Sequence, residues 1–561
     1  MKLSRRDFLK LGALVTASAA LSSCAPLYRR LAGDLPAVPW APLEAHDFTA
    51  LSRLTFGPRV EERVHFQRIG LQAWVEEQLA FDSLDDFDCD LLLSRFKTLT
   101  MDANELEAIS NGLFDDYDRE TIPNELRQAT LMRQVYSRRQ LYEVMTEFWS
   151  DHFNIYIEKG NCFYLKTVDD REVIRRSAFG SFRDLVWASA HSPAMLIYLD
   201  NQANEKSAPN ENYARELMEL HTLGLDGGYS QQDVMELARC LTGWNVKEHF
   251  WLGDFVFKED LHDTGIKNVL GITIANAGIQ EAEQVIEMLV THPSTARFIA
   301  TKLARRFIAD EPPRELVERA AQTFLDTRGD IKSVLRVILL DGLPLAQPKY
   351  KRPTNFVLSA LRMLNVETDG MGVQDYLLRI GQSYFNCPTP DGYPDDSTAW
   401  QGNLMPRWQF AFGLIRGEIK GTKTGLKALM DVSSAGTLQG EVDAVSCLLL
   451  GAPLAATLRD ELIDSVLAAG ASEEEALQLV TASLIALRTA AAAANAFSAR
   501  KPFNTPVFAA RSTASAADRV GTKKVPRSFI RRAPSSSRND PCSMEATPAL
   551  TANLIPSVPC A

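Results

Sequence analysis

Residues 209–244 read PNENYARELMELHTLGLDGGYSQQDVMELARCLTGW. The stretch spells two helices around a glycine-rich turn. Pro209 cannot continue a preceding helix, and Asn210 offers a side-chain acceptor to the first free amides. At about 100° per residue, Glu211, Asn212, Arg215, Glu216 and Glu219 share one polar arc, while Ala214, Leu217, Met218 and His221 fall on the other. One-turn spacing makes a Glu211–Arg215–Glu219 ladder available. Gly224, Gly227 and Gly228 close the helix. Ser230 followed by Asp233 predicts a capping box for a second helix running to about Gly243. Two readings fit the polar arc. Glu211, Glu216 and Glu219, with Arg215 orienting them, can act as an acid/base set or hold a hard cation. The commoner use of such a set is an ion-paired face that docks on the fold. The arc lacks the pair of histidines at i and i+4 that a zinc protease needs.

The flanking chain repeats the helical pattern. Helices are expected at 60–79, as one long amphipathic rod at 126–152, as a pair within 179–199, and at 293–307, 313–325, 331–340 and 353–364, with two more in 451–487. Residues 82–90 form an acidic loop that reads as a solvated face. FWLGDFVF, from Phe250, is a short hairpin. Residues 381–411 are irregular and aromatic, and Asp391, Tyr393, Asp395 and Trp400 can line a pocket there. The fold class is mainly α: a multi-helix array with irregular aromatic loops.

These patterns also carry a resemblance. The 209–244 stretch, with RLTFGPR from Arg53, FWSDHFNI from Phe148, FKEDLHDTGIKNVLG from Phe257, HPSTARFIATKLARRF from His292 and PTPDGYPD from Pro388, is similar to the bacterial family called domain of unknown function 1800. The resemblance spans roughly residues 45–485. It implies an exported, largely helical protein, often encoded beside a sulfatase-like family, domain of unknown function 1501. It implies no particular reaction.

The ends are distinct. Ser4-Arg5-Arg6-Asp7-Phe8-Leu9-Lys10 fits a twin-arginine export signal, and residues 11–20 are too short and too rich in Ala and Ser to span a bilayer. Leu21-Ser22-Ser23-Cys24 fits a lipobox, with Cys24 the lipidated residue. Residues 1–24 are then the signal and 25–45 a tether; 46–487 form the helical domain, with room for two subdomains. Residues 488–561 are a low-complexity tail, either disordered or the product of a reading-frame change. The expected location is the periplasm or cell envelope, anchored by lipid, with the twin-arginine translocase as partner during export. Formal net charge is −11, which argues against nucleic acid. Eight cysteines contain no CxxC pair, so neither a zinc site nor a disulfide scaffold is signalled.

The remaining chemistry rests on histidines. His152 follows Asp151 at a helix end, as a site member or as a structural histidine capping the helix; His191 precedes a Ser-Pro helix start and reads as structural, and His262-Asp263 sits in a loop. His152, His221, His262 and Asp263 are therefore the expected metal ligands, and Glu211, Glu216, Glu219 and Arg215 the expected catalytic groups. A divalent ion held by them can activate water. The leading expectation is a metal-assisted periplasmic hydrolase. The competing one is a non-enzymatic scaffold for the sulfatase-like neighbour. No GxSxG elbow supports a nucleophilic hydrolase.

Overall fold

The computed structural model describes residues 42–112, 118–247, 253–426 and 436–487. Cys24, the tether to residue 41 and the tail from 488 lie outside them. Helices dominate, as the periodicity predicts, and the sheet content is three two-stranded antiparallel hairpins or ribbons among the described residues. All described residues belong to one compact unit.

The helix at Val60–Leu79 forms as expected, with a bend where Gly70 takes φ 78°. The long rod does not form. Thr121–Tyr136 and Gln140–His152 are separate helices. Between them, the Ser137 hydroxyl donates to Asp86 (2.6 Å), and the Arg138 amide donates to the same carboxylate (2.9 Å). Local side-chain bonds of this kind compete with helix continuation. Asp86 is consequently buried, and the acidic loop is not simply a solvated face. Its carboxyl is pushed up by burial, against the Ser137 and Arg138 bonds.

Caps written locally in the sequence are found. Ser230 and Asp233 form the capping box of Gln231–Cys240. His292 accepts from the Ser294 amide (3.1 Å) ahead of Pro293, which opens the Pro293–Phe307 helix. The aromatic hairpin is shifted from its expected place: Trp244–Val246 pairs with Phe255–Phe257. A second hairpin, Lys267–Val269 with Ile272–Ile274, turns through Leu270 and Gly271, both at positive φ. The irregular segment ends at Asn403, because Leu404–Ile415 is a helix. A further unexpected helix, Leu438–Leu450, packs with Leu404–Ile415, Ala456–Ala468 and Glu473–Leu487 around the last helix.

The centre of the core is aromatic. Trp149 is fully buried and donates its indole N–H to the Ala178 carbonyl at 3.0 Å, with Phe148, Phe153 and Phe182 around it. Burying such rings contributes roughly 2–3 kcal/mol each by area. Five cysteines, including Cys240 and Cys447, are buried free thiols. No helix among the described residues is long and apolar enough to cross a membrane.

Candidate functional site

The opening stretch folds with a difference at its centre. The first helix is α only over Asn212–Glu216 and widens into a π-helix over Leu217–Thr222. The wider turn carries His221 inward, to 1 % exposure. Glu211 receives Arg215 (3.0 Å) and Gln231 (2.6 Å) at the surface. Arg215 turns to Gln231 (2.8 Å), and the upper rung of the ladder is replaced by a 3.4 Å contact from the Tyr229 hydroxyl to Glu219. Glu211 and Arg215 are thus an ion-paired face. Glu216 is half-buried; burial first, then the nearby charges of Glu219 and Asp391, raise its pKa against Arg215.

His152 and His221 come together from segments 69 residues apart. Their ring centroids lie 6.1 Å apart. His152 is fully committed: its Nε2 lies 3.1 Å from the His221 carbonyl oxygen, and its Nδ1 lies 2.9 Å from Lys302 Nζ. A carbonyl only accepts and an ammonium only donates, so the proton sits on Nε2 and the imidazole is neutral. Burial, then the charges of Lys302 and His221, hold its pKa well below the usual histidine range. Phe153 (4.5 Å) and Trp149 (5.5 Å) pack on the ring. His221 stands between Phe153 and Tyr213, and neither of its nitrogens has a hydrogen-bond partner. Burial and then Lys302 lower its pKa to about 3.

Lys302 is the group that residue pattern alone did not single out. It projects from Pro293–Phe307, half-buried beside Phe298, and its hydrogen-bond partner is an imidazole, not a carboxylate. Burial lowers its pKa to about 8, opposed by the charges of Asp395, Asp151 and Asp391. The last of these is exposed, next to Gly392. Gly392 has φ 71° and lies so close to the Asp151 carbonyl that a Cβ has no room.

Behind Lys302 runs a buried charge network. Arg306 binds Glu147 and Asp395 (3.0 Å), and Arg352 binds Asp151 and Asp395 (2.9 Å). Thr354 donates to Glu147 at 2.8 Å. Burial pushes the Asp395 carboxyl up, yet Arg306, Arg352 and Lys349 together hold it well below the usual carboxylate range. Asp151 is raised to about 6, because burial outweighs Arg352 and Glu147 adds repulsion. Asp395 was expected to line a pocket, and it does so while knotting two guanidinium groups. Tyr393 donates to the Ser383 carbonyl (2.9 Å) and Trp400 to that of Pro394 (3.0 Å).

His262 and Asp263 make different contacts. His262 Nδ1 lies 2.8 Å from the Thr242 carbonyl, and its Nε2 lies 3.3 Å from Glu281, which also binds Lys267; all three side chains are buried. Asp263 receives a fork from Arg239 at 2.7 and 3.2 Å, which lowers its pKa. Among the described residues, no three His, Cys, Asp or Glu side chains are grouped to hold a metal ion. The physical reason is visible: both His152 nitrogens and the Asp263 carboxylate already have protein partners. His191 is structural as expected, bonded to the Trp187 carbonyl at 2.8 Å.

A cavity of about 410 Å³ lies elsewhere, against Glu61, His65, Trp74, Asp85, Asp86 and Arg138.

No curated protein and no solved structure matches this chain. A model of the twin-arginine translocation pathway signal sequence matches residues 2–22, which makes this an exported protein. The model of the family described as "Protein of unknown function (DUF1800)" matches residues 49–497, four-fifths of the chain and every segment of the Lys302 site; the protein belongs to that family.

Proposed function

We propose that this exported protein is a hydrolase that works by acid–base chemistry of its own side chains, with Lys302 as the base. One observation carries the reading: a half-buried amine is held by a neutral imidazole whose tautomer is fixed from behind. A base oriented by a third group is the arrangement that proton-transfer catalysis requires. With a pKa of about 8, roughly one Lys302 in ten is neutral at pH 7, against about one in three thousand for an ordinary lysine. Glu216 is shifted the opposite way and keeps its proton longer. Asp391 is within electrostatic reach of both groups. In this scheme Lys302 takes a proton from water and Glu216 gives one to the leaving group. His152 and His221 position the base.

The site works outside the cytoplasm, in the periplasm, on a chain tethered by lipid at Cys24. A divalent-ion version of the same hydrolysis, with His152, His221, His262 and Asp263 as ligands, requires the Arg239–Asp263 pair to open and His152 to release Lys302 or the His221 carbonyl; elemental analysis of protein purified without chelator tests it. The carboxylates locked to guanidinium groups favour a second reading, a scaffold for a sulfatase-like protein of the kind often encoded beside this family.

The test is a panel of chromogenic carboxylic, phosphate and sulfate esters and glycosides. Turnover of one class is expected, rising through pH 8 and falling at least a hundredfold in folded K302M, with E216Q also impaired. Absence of turnover across the panel overturns the hydrolase reading. Co-purification with the sulfatase-like neighbour at native expression then tests the scaffold.

A further inference from the structure

The cavity of about 410 Å³ is shaped by a bend in one helix. Residues twelve apart on a straight helix are separated by about 18 Å along its axis. His65 Nε2 and the Glu77 carboxylate are twelve apart and meet at 2.6 Å, because Gly70, at φ 78° and ψ 170°, turns Val60–Leu79 back on itself. One arm brings Glu61 and His65 to the cavity, the other Trp74 and Glu77. The acidic stretch 82–90 adds Leu84, Asp85, Asp86 and Phe87. The volume lies in the range of small-molecule sites, roughly 300–1,000 Å³.

Charge on this wall is uneven. Two lining arginines are matched by lining carboxylates: Arg362 binds Glu62 (2.6 Å) and Arg59 faces Glu61 (3.9 Å). Glu77, Asp85 and Asp86 have no ion pair to an arginine or lysine among the described residues. Glu77 meets His65 instead. The Arg68 guanidinium donates to His65 Nδ1 (2.9 Å), so the ring carries its one proton on Nε2, toward Glu77, and is neutral. Asp85 is exposed and accepts from the Phe87 amide (3.2 Å). Asp86 is buried and accepts from the Ser137 hydroxyl and the Arg138 amide. Against these three carboxylates the lining sets one further cation, the exposed Arg138. Asp88 also lines the cavity and has its own partner. Outside the lining, Arg139 and Asp90 act on Asp86 in opposite senses, and burial raises its carboxyl.

A buried carboxylate without a counter-ion is costly, so a ligand gains here by bringing positive charge. The volume suits a molecule more than a bare ion, and no three metal-ligating side chains are grouped among the described residues. Leu84 and Phe87 supply apolar contact for a hydrocarbon stem. We propose that this cavity binds a small organic cation, an alkyl amine or alkyl guanidine, with its charge among Glu77, Asp85 and Asp86. The cavity shares no lining residue with the Lys302 site and does not depend on the hydrolase reading.

The experiment is isothermal titration calorimetry of the mature chain at pH 7 and fixed ionic strength. The probes are butane-1,4-diamine, agmatine, and butane-1,4-diol as the uncharged analogue of the diamine. One saturable site is expected for at least one of the two cations and none for the diol. The double variant E77Q/D85N is expected to weaken binding at least fivefold. E311Q/E315Q removes the same charge from exposed positions elsewhere and is expected to change it less than twofold. Circular dichroism checks folding; if the double variant does not fold, D85N alone, at an exposed position, decides at a twofold threshold. No saturable heat with either cation, diol binding as tight as that of the diamine, a smaller loss in the cavity variant, or an equal loss in the control variant overturns the proposal.

Discussion

Replacing Lys302 by methionine separates the cost of this side chain from its use. The amine falls from an ordinary 10.5 to about 8 in the fold. One pKa unit between the folded and unfolded states corresponds to about 1.4 kcal/mol, so the ceiling is about 3.4 kcal/mol. Partial exposure screens the charge, and about 2 kcal/mol is the reasonable expectation. The sign follows from proton counts. Below pH 8 the amine is charged in both states, and the folded state carries the whole desolvation cost. Between pH 8 and 10.5 the folded state has released a proton that the unfolded state still holds, so stability rises with pH. Above 10.5 the cost is gone. Methionine has no such transition. Urea denaturation of wild type and K302M at pH 7 and pH 10.5 isolates the effect, because other alkaline titrations occur in both proteins and cancel. Wild type is expected to gain about 2 kcal/mol relative to the variant across that interval. At pH 7 the variant is expected to be more stable by about 1 kcal/mol, since the relieved charge outweighs the donor lost to His152. A difference between the two pH profiles under about 0.5 kcal/mol would show that the amine is not depressed. The site argument would then lose its base.

Three further perturbations probe the surroundings. Asp395→Asn leaves Arg306 and Arg352 partly uncompensated in a buried site and is expected to cost about 3–5 kcal/mol by denaturant unfolding, where a loss under about 1 kcal/mol contradicts the network. Acid works through His221: its folded pKa of about 3 lies below the unfolded 6.5, so the stability it contributes is complete above pH 6.5 and drains away toward pH 3. H221F should therefore flatten the acid limb by up to about 1.4 kcal/mol per pH unit, and an unchanged limb places the imidazole in water. Gly392→Ala forces a Cβ against the Asp151 carbonyl at positive φ; a loss of at least about 2 kcal/mol is expected in a thermal or urea melt, and a neutral result shows that the loop does not sit on that helix end.

What the sequence disclosed, and what it hid, follows from the range of the interactions. The capping box at Ser230 and the helix start at Pro293 are settled within four residues, and both were legible. The break at Ser137 was not, because it depends on Asp86, 51 residues earlier. The inward face of the 209–222 helix was legible from periodicity, so His221 fell with the apolar residues. The π-turn that buries it leaves no mark in that pattern. His262 and Asp263 are adjacent in the chain and invite a joint role, but successive side chains leave the backbone in different directions. One goes to Glu281 and the other to Arg239. Lys302 was one basic residue among several in a helix of ordinary amphipathic pattern. Its character comes from burial and from His152, 150 residues away. Residue type therefore predicted that imidazoles and carboxylates were available, and distance decided their employment. Glu147, Asp151, Asp263 and Asp395 pair with guanidinium groups and share no ion, as low-dielectric surroundings reward. The amine facing an imidazole is where that internal pairing was left incomplete.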